Sequence, residues 1–249
     1  MVQLPSEPKT VSKTGNRAVF EISPLAPGYG MTIGNTLRRV LISSLEGAAA
    51  TSVKIKGVDH EFSAIPGILE DLIEIILNLK KIRFRLYKNE PVTLTLSSKG
   101  EGEVTAGDIK TTSDVEVINK DQHIATLTDK KAVFDMELTV ENGVGYVPVE
   151  QRQKEKLSIG EIAIDGIFTP IKNVNFTVEN IRVGQRTDYN KVLMDIETDG
   201  SASPEEALKK ASRILIDHFT VVGSIAVPET SKPAEAKPKK TSKKKEKEE

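Results

Sequence analysis

Three segments of the chain place apolar residues at the spacing of an amphipathic helix, namely 32–46, 66–80 and 204–222. Their apolar stripes are, in order, Ile33, Leu37, Val40, Leu41 and Leu45; Ile68, Leu72, Ile75, Ile76 and Leu79; and Leu208, Ala211, Leu215, Phe219 and Val222. Thr32 is a suitable N-cap for the first helix, and Gly47 is a suitable C-terminal stop. The third segment follows a capping box that starts at Ser203, with proline at the first helical position.

Between these helices, apolar and polar residues alternate with the period of a β-strand. The alternating segments are 51–56, 82–87, 92–96, 134–140 and 174–178. Near the C-terminal end, two strands over 174–183 and 192–198 are expected to flank a polar loop that contains Gln185, Arg186, Thr187 and Asp188. Strands that crowd the middle of a chain and amphipathic helices that flank them predict an α+β fold.

The segment before the first helix is expected to be a loop. Pro24 and Pro27 each lack an N–H donor, and Gly28 and Gly30 tolerate backbone angles that other residues avoid. The glycine pattern that ends at Gly34 misses the G-x-G-x-x-G spacing of a dinucleotide site, and no strand is expected before it. The loop is therefore interpreted as a device that positions the helix.

Composition excludes several kinds of chemistry. The 249 residues carry a net charge of −1 and contain no cysteine, so disulfides, thiolate catalysis and cysteine-bound zinc are excluded. The N-terminus lacks the apolar region of a signal peptide, and no apolar run is long enough to span a bilayer, so a cytoplasmic protein is expected. Residues 229–249 are rich in lysine and glutamate, with a net charge of +3, and are expected to be a disordered tail.

The remaining candidate catalytic groups have structural interpretations. Glu70 and Glu74 are expected on a solvated helix face, because an acid–base pair requires a pocket with two different environments. His60 precedes a glutamate but is not part of an H-E-x-x-H metal motif. His123 and His218 have no partner visible in the sequence, and His218 is expected to pack against its own helix. No metal site is predicted.

Two adjacent arginines on the first helix are the strongest candidates for an interaction. At about 100° per residue, Arg39 projects on the polar side with Asn35, whereas Arg38 lies at the edge of the apolar stripe. A cation at that edge is expected to be paired, because burying it alone is costly. Arginine is favoured at interface centres, but a solvated helix surface explains most helical arginines. The pattern alone leaves both interpretations open.

Four segments resemble the alpha subunit of bacterial DNA-dependent RNA polymerase, in the order of that family. The segments are GYGMTIGNTLRRVLISS (28–44), GVDHEFSAIPGILEDLIEIILNLK (57–80), GYVPVEQR (145–152) and the segment from VENIRVGQRTDYNKV to ILIDHF (178–219). The resemblance extends from about residue 15 to about residue 228. It implies a two-part fold, in which 1–46 and 169–228 form a dimerisation and assembly unit and 47–168 form an inserted, mostly β unit.

The resemblance also implies three sets of contacting residues. The set for the beta subunit is Gly30, Thr32, Gly34, Asn35, Arg38, Arg39 and Ser43, with Arg39 at its centre. The set for the beta-prime subunit, used by the second copy, is Lys80, Arg182, Gln185 and Arg186. The set for the homodimer is Ile33, Leu37, Leu41, Leu208, Leu215, Phe219 and Val222. The broad apolar stripes of the first and third helices independently make a twofold dimer reasonable.

The implied function is that of a non-catalytic subunit of a nucleotidyltransferase. It would scaffold beta and beta-prime, with omega and sigma joining in the holoenzyme, and would bind no cofactor; magnesium is expected in the catalytic subunit. The chain departs from the family because the lysine-rich tail stands where a DNA-contacting helical domain is expected. DNA contact is therefore expected only through the complex or weakly through the tail, by counterion release. A stand-alone nucleotide-binding enzyme and a nucleic-acid-binding module remain the alternatives.

Overall fold

The fold is described by a computed structural model that covers residues 4–58, 60, 62–152 and 160–225. The helices are α1 (Tyr29–Ser43), α2 (Leu72–Leu79), α3 (Val149–Arg152) and α4 (Pro204–Gly223). The strands are β1 (Lys9–Thr14), β2 (Arg17–Leu25), β3 (Glu46–Ile55), β4 (Phe84–Leu86), β5 (Val92–Lys99), β6 (Gly102–Thr105), β7 (Val115–Val117), β8 (His123–Leu127), β9 (Val133–Val144), β10 (Tyr146–Val147), β11 (Glu161–Ala163), β12 (Gly166–Ile167), β13 (Ile171–Val183) and β14 (Arg186–Thr198). The α+β prediction is confirmed.

The first sheet joins the two ends of the described chain. Its strand order is β1-β2-β14-β13, and all of its neighbouring strands are antiparallel. Helices α1 and α4 pack against this sheet and against each other. Buried residues from both helices and from three strands, Leu41, Leu208, Phe20, Val174 and Met194 among them, form one hydrophobic core. This core fixes the orientation of α1 relative to the sheet.

The second sheet is built from the middle of the chain. Its strand order is β5-β9-β3-β4-β7, and β11 pairs with residues 52–54, in the C-terminal half of β3. Two smaller two-stranded sheets, β6-β8 and β10-β12, complete the unit. Helix α2 packs on β8, and its Leu72, Ile75 and Leu79 belong to a second hydrophobic core.

The two cores share no residue. The first draws only on residues 18–45 and 171–215, and the second draws only on residues 48–164. On this ground we propose a division into 1–46 with 169–228, and 47–168, as two structural units. The predicted tail, 229–249, and the last residues of the first unit lie outside the described residues.

The predicted boundaries of the first helix were wrong. Helix α1 begins at Tyr29 instead of residue 32, because Gly28 adopts a φ of 84° and turns the chain into the helix directly after Pro27. Thr32 is consequently inside the helix and does not cap it. The helix ends at Ser43, because from Glu46 onward the chain pairs with β9; Gly47, the predicted stop, is therefore a strand residue.

The second helix is shorter than predicted, whereas the last helix agrees with its capping signal. Helix α2 starts only at Leu72, because the side chain of Asp71 accepts a 2.7 Å hydrogen bond from the N–H of Glu74 and caps it there. Helix α4 begins at Pro204, and the side chains and backbone of Ser203 and Glu206 form the predicted reciprocal cap. The strands β1 and β2 were missed, and Pro24 lies in β2 instead of a loop.

Within the described residues, none of the helices combines the length and apolar composition needed to cross a lipid bilayer.

Candidate functional site

Helix α1 has two faces that differ sharply in their surroundings. Gly30, Gly34, Leu37 and Leu41 are buried against β13, β14 and α4. The opposite face is exposed and carries Thr32, Asn35, Arg38, Arg39 and Ser43. At about 100° per residue, Arg39 lies almost opposite the buried stripe and is flanked by Thr32 and Ser43. The face that the sequence assigned to beta binding is thus largely a solvent-exposed polar surface.

Gly30 and Gly34, two members of the predicted beta-binding set, are not on that face, and their part in beta binding stays a prediction. A Cβ on Gly34 would lie 2.5 Å from the Phe176 ring, and a Cβ on Gly30 would lie 2.6 Å from Cγ1 of Val178. Both glycines are therefore required for the close approach of α1 to β13. Because both glycines lie on the buried face of α1, they allow the helix to pack closely on the sheet and offer no side chain to a partner.

The two arginines are both exposed, and this corrects the expectation for Arg38. Among the described residues, neither Arg38 nor Arg39 makes an ion pair or a side-chain hydrogen bond. Arg38 was expected to need a partner at the edge of the apolar stripe, but it points into solvent, where its charge stays hydrated. The helix therefore presents two guanidinium groups that the described part of its own chain leaves free to pair.

The hydroxyl groups beside the arginines are turned back onto the helix. Ser43 donates a 2.8 Å hydrogen bond to the carbonyl of Arg39, and Thr32 donates a long one of 3.5 Å to the carbonyl of Gly28. These bonds satisfy the hydroxyl donors without masking the neighbouring guanidinium. Asn35 is exposed as predicted. The polar groups of this face that point outward are thus mainly those of Asn35, Arg38 and Arg39.

Lys80, from the predicted beta-prime set, follows the C-terminus of α2 and is held in place. Its Nζ lies 2.7 Å from Oδ2 of Asp165, and the backbone N–H of Val149 donates to Oδ1 of the same carboxylate at 3.0 Å. The hydrogen bond from Lys80, together with that N–H, lowers the pKa of Asp165 below its ordinary value despite burial. The side chain of Lys80 is about one-quarter exposed.

The other three members of the beta-prime set lie at the tip of the β13–β14 hairpin. The polar loop predicted between these strands was too long: the strands are joined only by Gly184 and Gln185, and Arg186 already belongs to β14. Gly184 has a φ of 62°, which this tight connection requires. Arg182 donates to the carbonyl of Gly184 at 3.0 Å. All three predicted residues are exposed.

Arg186 is preorganised at this tip. Its Nε and Nη2 donate to the two carboxylate oxygens of Asp188 at 3.0 and 2.6 Å, and its guanidinium lies 5.4 Å from the ring centroid of Tyr189. The hydrogen bond from Arg186 lowers the pKa of Asp188, and the same pairing raises the pKa of Arg186. Among the described residues, no hydrogen bond or ion pair joins Lys80 to the hairpin, so the set forms two separate patches.

The predicted dimer set divides into buried and exposed residues. Leu37, Leu41 and Leu208 are buried in the core of their own chain, so their part in a contact with a second copy stays a prediction. Ile33 and Leu215 are half-buried. Phe219 and Val222 are 64% and 69% exposed. They belong to an apolar surface at the C-terminal end of α4.

This apolar surface is larger than the predicted set. We call it the α4 apolar end; its exposed members are Ile216, Phe219, Val221, Val222 and Ile225. His218 is also exposed, so the packing role expected for it is not seen within the described chain. An exposed apolar cluster of this kind on one helix is typical of a protein–protein contact.

A buried polar cluster was missed by the sequence analysis. Glu70 was expected on a solvated helix face, but it precedes α2, and its side chain is only 8% exposed. It pairs with Nε2 of His123 at 2.8 Å, and Nδ1 of the same ring lies 2.8 Å from Oε1 of Glu103. Three residues separated by 20 to 53 positions give no local sequence signal, so only the fold reveals the cluster.

Neither this cluster nor any other among the described residues gathers three or more histidine or acidic residues in an arrangement that could hold a metal ion. The Glu70–His123–Glu103 cluster has its polar atoms bonded to one another and to Thr126. Its geometry is that of a structural link between the segment before α2 and the β6–β8 pair.

Comparison with known proteins identifies similar chains. Residues 53–169 match the model of the RNA polymerase Rpb3/RpoA insert domain. The chain is 52% identical over 202 residues to the DNA-directed RNA polymerase subunit alpha of Alkaliphilus oremlandii. The aligned region covers 81% of this chain and 63% of that protein. The chain is 50% identical over 214 residues to the same subunit of Clostridium botulinum, covering 86% and 68% of the two chains. For the subunit of Flavobacterium psychrophilum, identity is 50% over 222 residues, covering 87% and 66%. The chain thus spans about two thirds of the length of these curated relatives.

Proposed function

Because this chain belongs to the family of DNA-directed RNA polymerase alpha subunits, we propose that it is the non-catalytic subunit on which that enzyme assembles. Two copies dimerise, one copy recruits the beta subunit, and the other recruits the beta-prime subunit. A symmetric dimer thereby nucleates an asymmetric enzyme, which transcribes DNA into RNA from ribonucleoside triphosphates.

The observation that carries this proposal is the free polar face of α1. Arg38 and Arg39 are exposed and have no partner among the described residues, whereas the opposite face of the same helix is locked onto a sheet. A helix fixed in this way presents its guanidinium groups at little cost in conformational entropy, since its backbone is already ordered. Arginine in such a position is a frequent centre of protein–protein binding energy. We assign beta binding to this face, with Arg39 at its centre.

The dimer contact is assigned to the α4 apolar end together with the half-buried Ile33 and Leu215. Fully burying one large apolar side chain contributes about 1.5–3 kcal/mol. Phe219 and Val222 are mostly exposed in the single chain and can therefore gain much of that amount on association. In a twofold contact the same patch occurs on both copies, so each favourable contact is made twice.

Beta-prime binding is assigned to Lys80 and to the hairpin tip with Arg182, Gln185 and Arg186. Both patches are cationic and conformationally restrained, by Asp165 in the first case and by Asp188 and Tyr189 in the second. Restraint of this kind reduces the entropy that a partner would otherwise have to remove. The same patches occur on both copies, but in an asymmetric enzyme only one copy meets beta-prime.

The nucleotidyl-transfer chemistry, and the magnesium that serves it, are assigned to the large subunits. Omega and sigma are expected to join through the complex, in the cytoplasm at the nucleoid. DNA contact by the lysine-rich residues 229–249 remains a proposal about a segment outside the described residues.

The test is co-purification of the tagged chain with beta and beta-prime from a co-expression strain. The variant is Arg39→Ala, and the matched control is Lys209→Ala, which also removes an exposed cation from a helix but lies on α4. Arg39→Ala should weaken beta recruitment by about 2 kcal/mol or more if Arg39 is a binding hot spot. Homodimerisation, measured by light scattering, should not change in either variant. Unchanged beta binding by Arg39→Ala would reject the assignment of α1.

A further inference from the structure

The N-terminus of α1 lacks a capping side chain of its own. The residue at the N-cap position is Gly28, and the first N–H groups of any helix have no partner inside the helix. The Oδ1 atom of Asn190, from strand β14, accepts hydrogen bonds from the N–H of Gly28 at 2.9 Å and from the N–H of Gly30 at 3.3 Å. A side chain 160 residues away in sequence therefore supplies the cap that the helix itself does not.

Both polar atoms of the Asn190 side chain are hydrogen-bonded, and the residue is tightly enclosed. The residue is only 7% exposed, and its Nδ2 donates a 3.0 Å hydrogen bond to Oδ1 of Asn180, its register partner on β13. Gly30 permits this arrangement, because a Cβ at that position would lie 3.0 Å from Cβ of Asn190 and 3.2 Å from its Oδ1. Asn180 orients the amide so that its oxygen faces the helix, and Gly30 lets the helix approach it.

We propose that Asn190 is the positioning residue for the first turn of α1, a remote N-cap that fixes where the N-terminal part of the polar face, with Thr32, is presented. This inference rests on the proposed function, because it assigns to Asn190 an indirect part in the recruitment of beta. The same amide connects the start of α1 to the hairpin whose tip carries Arg182 and Arg186. It therefore joins the two surfaces that we assign to different partners.

Geometry supports a positioning role over a merely stabilising one. The core under α1 holds the middle of the helix through Leu37 and Leu41, whereas the contacts at its beginning are Gly30 against Val178 and the hydrogen bonds of Asn190. Loss of the cap should therefore loosen the first turn, which includes Thr32 of the exposed face, while the core remains packed.

The experiment uses the full chain with Asn190→Ala, Asn190→Asp and the control Thr198→Val. Thr198 is also buried on β14, and its hydroxyl donates a long 3.4 Å hydrogen bond to the carbonyl of Asn16. Hydrogen exchange at the Gly28 and Gly30 amides reports the cap without reference to any partner. Binding of the purified beta subunit to the homodimer reports the function.

Asn190→Ala should accelerate exchange at both glycine amides by about tenfold, as expected for the loss of one or two hydrogen bonds, and should weaken beta binding several-fold. Asn190→Asp should restore both, because a carboxylate accepts the same two bonds and is favoured at a helix N-terminus. The exposed Asn180 amide can turn to present its NH₂ group to that carboxylate. Thr198→Val should change neither readout.

The outcomes separate this inference from the proposed function. If the wild-type dimer binds no beta subunit, the proposed function fails, while the exchange data still decide whether Asn190 caps α1. If beta binds the wild type and Asn190→Ala loses amide protection without losing affinity, the positioning role is refuted. If Asn190→Ala does not fold, loss of protection at Gly28 and Gly30 in the folded Asn190→Asp chain would refute the cap itself.

Discussion

Replacement of Glu70 by glutamine should destabilise the chain in a manner that depends on pH. The carboxylate of Glu70 accepts hydrogen bonds from the N–H of Thr126 at 2.6 Å, from the hydroxyl of Thr126 at 2.9 Å and from Nε2 of His123 at 2.8 Å. The opposite ring nitrogen of His123 faces Glu103. With both ring nitrogens facing carboxylates, the protonated imidazolium is the form that satisfies every partner.

The two pKa shifts define the pH range of this stabilisation. Burial alone lowers the pKa of His123, but the hydrogen bonds to Glu70 and Glu103 outweigh it and raise the pKa above its ordinary value of 6.5. The contribution of His123 is therefore complete below that value and is lost as the pH rises through the folded-state pKa. Burial alone raises the pKa of Glu70, but the hydrogen bonds from Thr126 and His123 lower it below 4.5. Its contribution is present above 4.5 and is lost as the pH falls through the folded-state pKa.

The magnitude follows from the bonds that glutamine cannot replace. An amide oxygen can still accept from Thr126, but the charge-assisted bond to His123 is lost, and a hydrogen bond to a charged group contributes about 1.5–3 kcal/mol. Partial exposure of His123 screens this interaction, so the lower half of that range is expected at about pH 6. Raising the pH through the folded-state pKa of His123 removes the charge on the ring, so the loss at about pH 9 should be smaller, below about 1 kcal/mol.

The assay is urea unfolding of wild type and Glu70→Gln at both pH values, followed by circular dichroism. Glu103→Gln is the matched control, because it removes the second carboxylate of His123 from a residue that is mostly exposed. That change should cost less than about 1 kcal/mol at either pH. A loss of stability for Glu70→Gln that is the same at both pH values would refute the reasoning, since it would show that the charge on His123 contributes nothing.

Three further substitutions test the packing of α1, the packing around Gly47 at the start of the second unit, and the surface proposed for the dimer. Leu41→Ala should lower the free energy of unfolding by about 2–5 kcal/mol in urea titrations, because Leu41 is fully buried in the first core. Gly47→Ala should lower the melting temperature, because a Cβ at position 47 would overlap the backbone carbonyl oxygen of Phe168. The control Gly102→Ala, at a position with open space for a Cβ, should lower it less, and equal melting temperatures for the two variants would contradict this reasoning. Phe219→Asp should shift the mass measured by light scattering from two chains toward one, because a charge would be buried in the α4 apolar end, and an unchanged dimer would exclude that surface.

The sequence predicted correctly those helix starts and strands that depend only on residues close together in the chain. The capping box at Ser203 predicted the start of α4 correctly, because its hydrogen bonds join residues three positions apart. The alternation over 134–140 and 174–178 predicted two strands, because the period of side-chain burial is a property of the strand itself. Family membership was also predictable, because it rests on residues and their order.

The tertiary structure decided what depends on contacts between distant segments. Thr32 was a good N-cap by type, but α1 begins earlier, because Gly28 turns the chain and Asn190, which is 162 residues away in sequence, accepts hydrogen bonds from the N–H groups at the start of the helix. Arg38 is exposed and has no partner within the part of the chain that the structure describes, although its position beside the apolar stripe predicted one.

The same holds for Glu70, which the helical pattern assigned to a solvated face. Asp71 caps α2, so Glu70 lies before the helix, and the β6–β8 pair brings His123 against the carboxylate of Glu70. Helical spacing determines which residues share a face, but it cannot determine where a helix starts or what will cover that face. Those outcomes depend on packing and hydrogen bonding between segments that are brought together only by the complete fold.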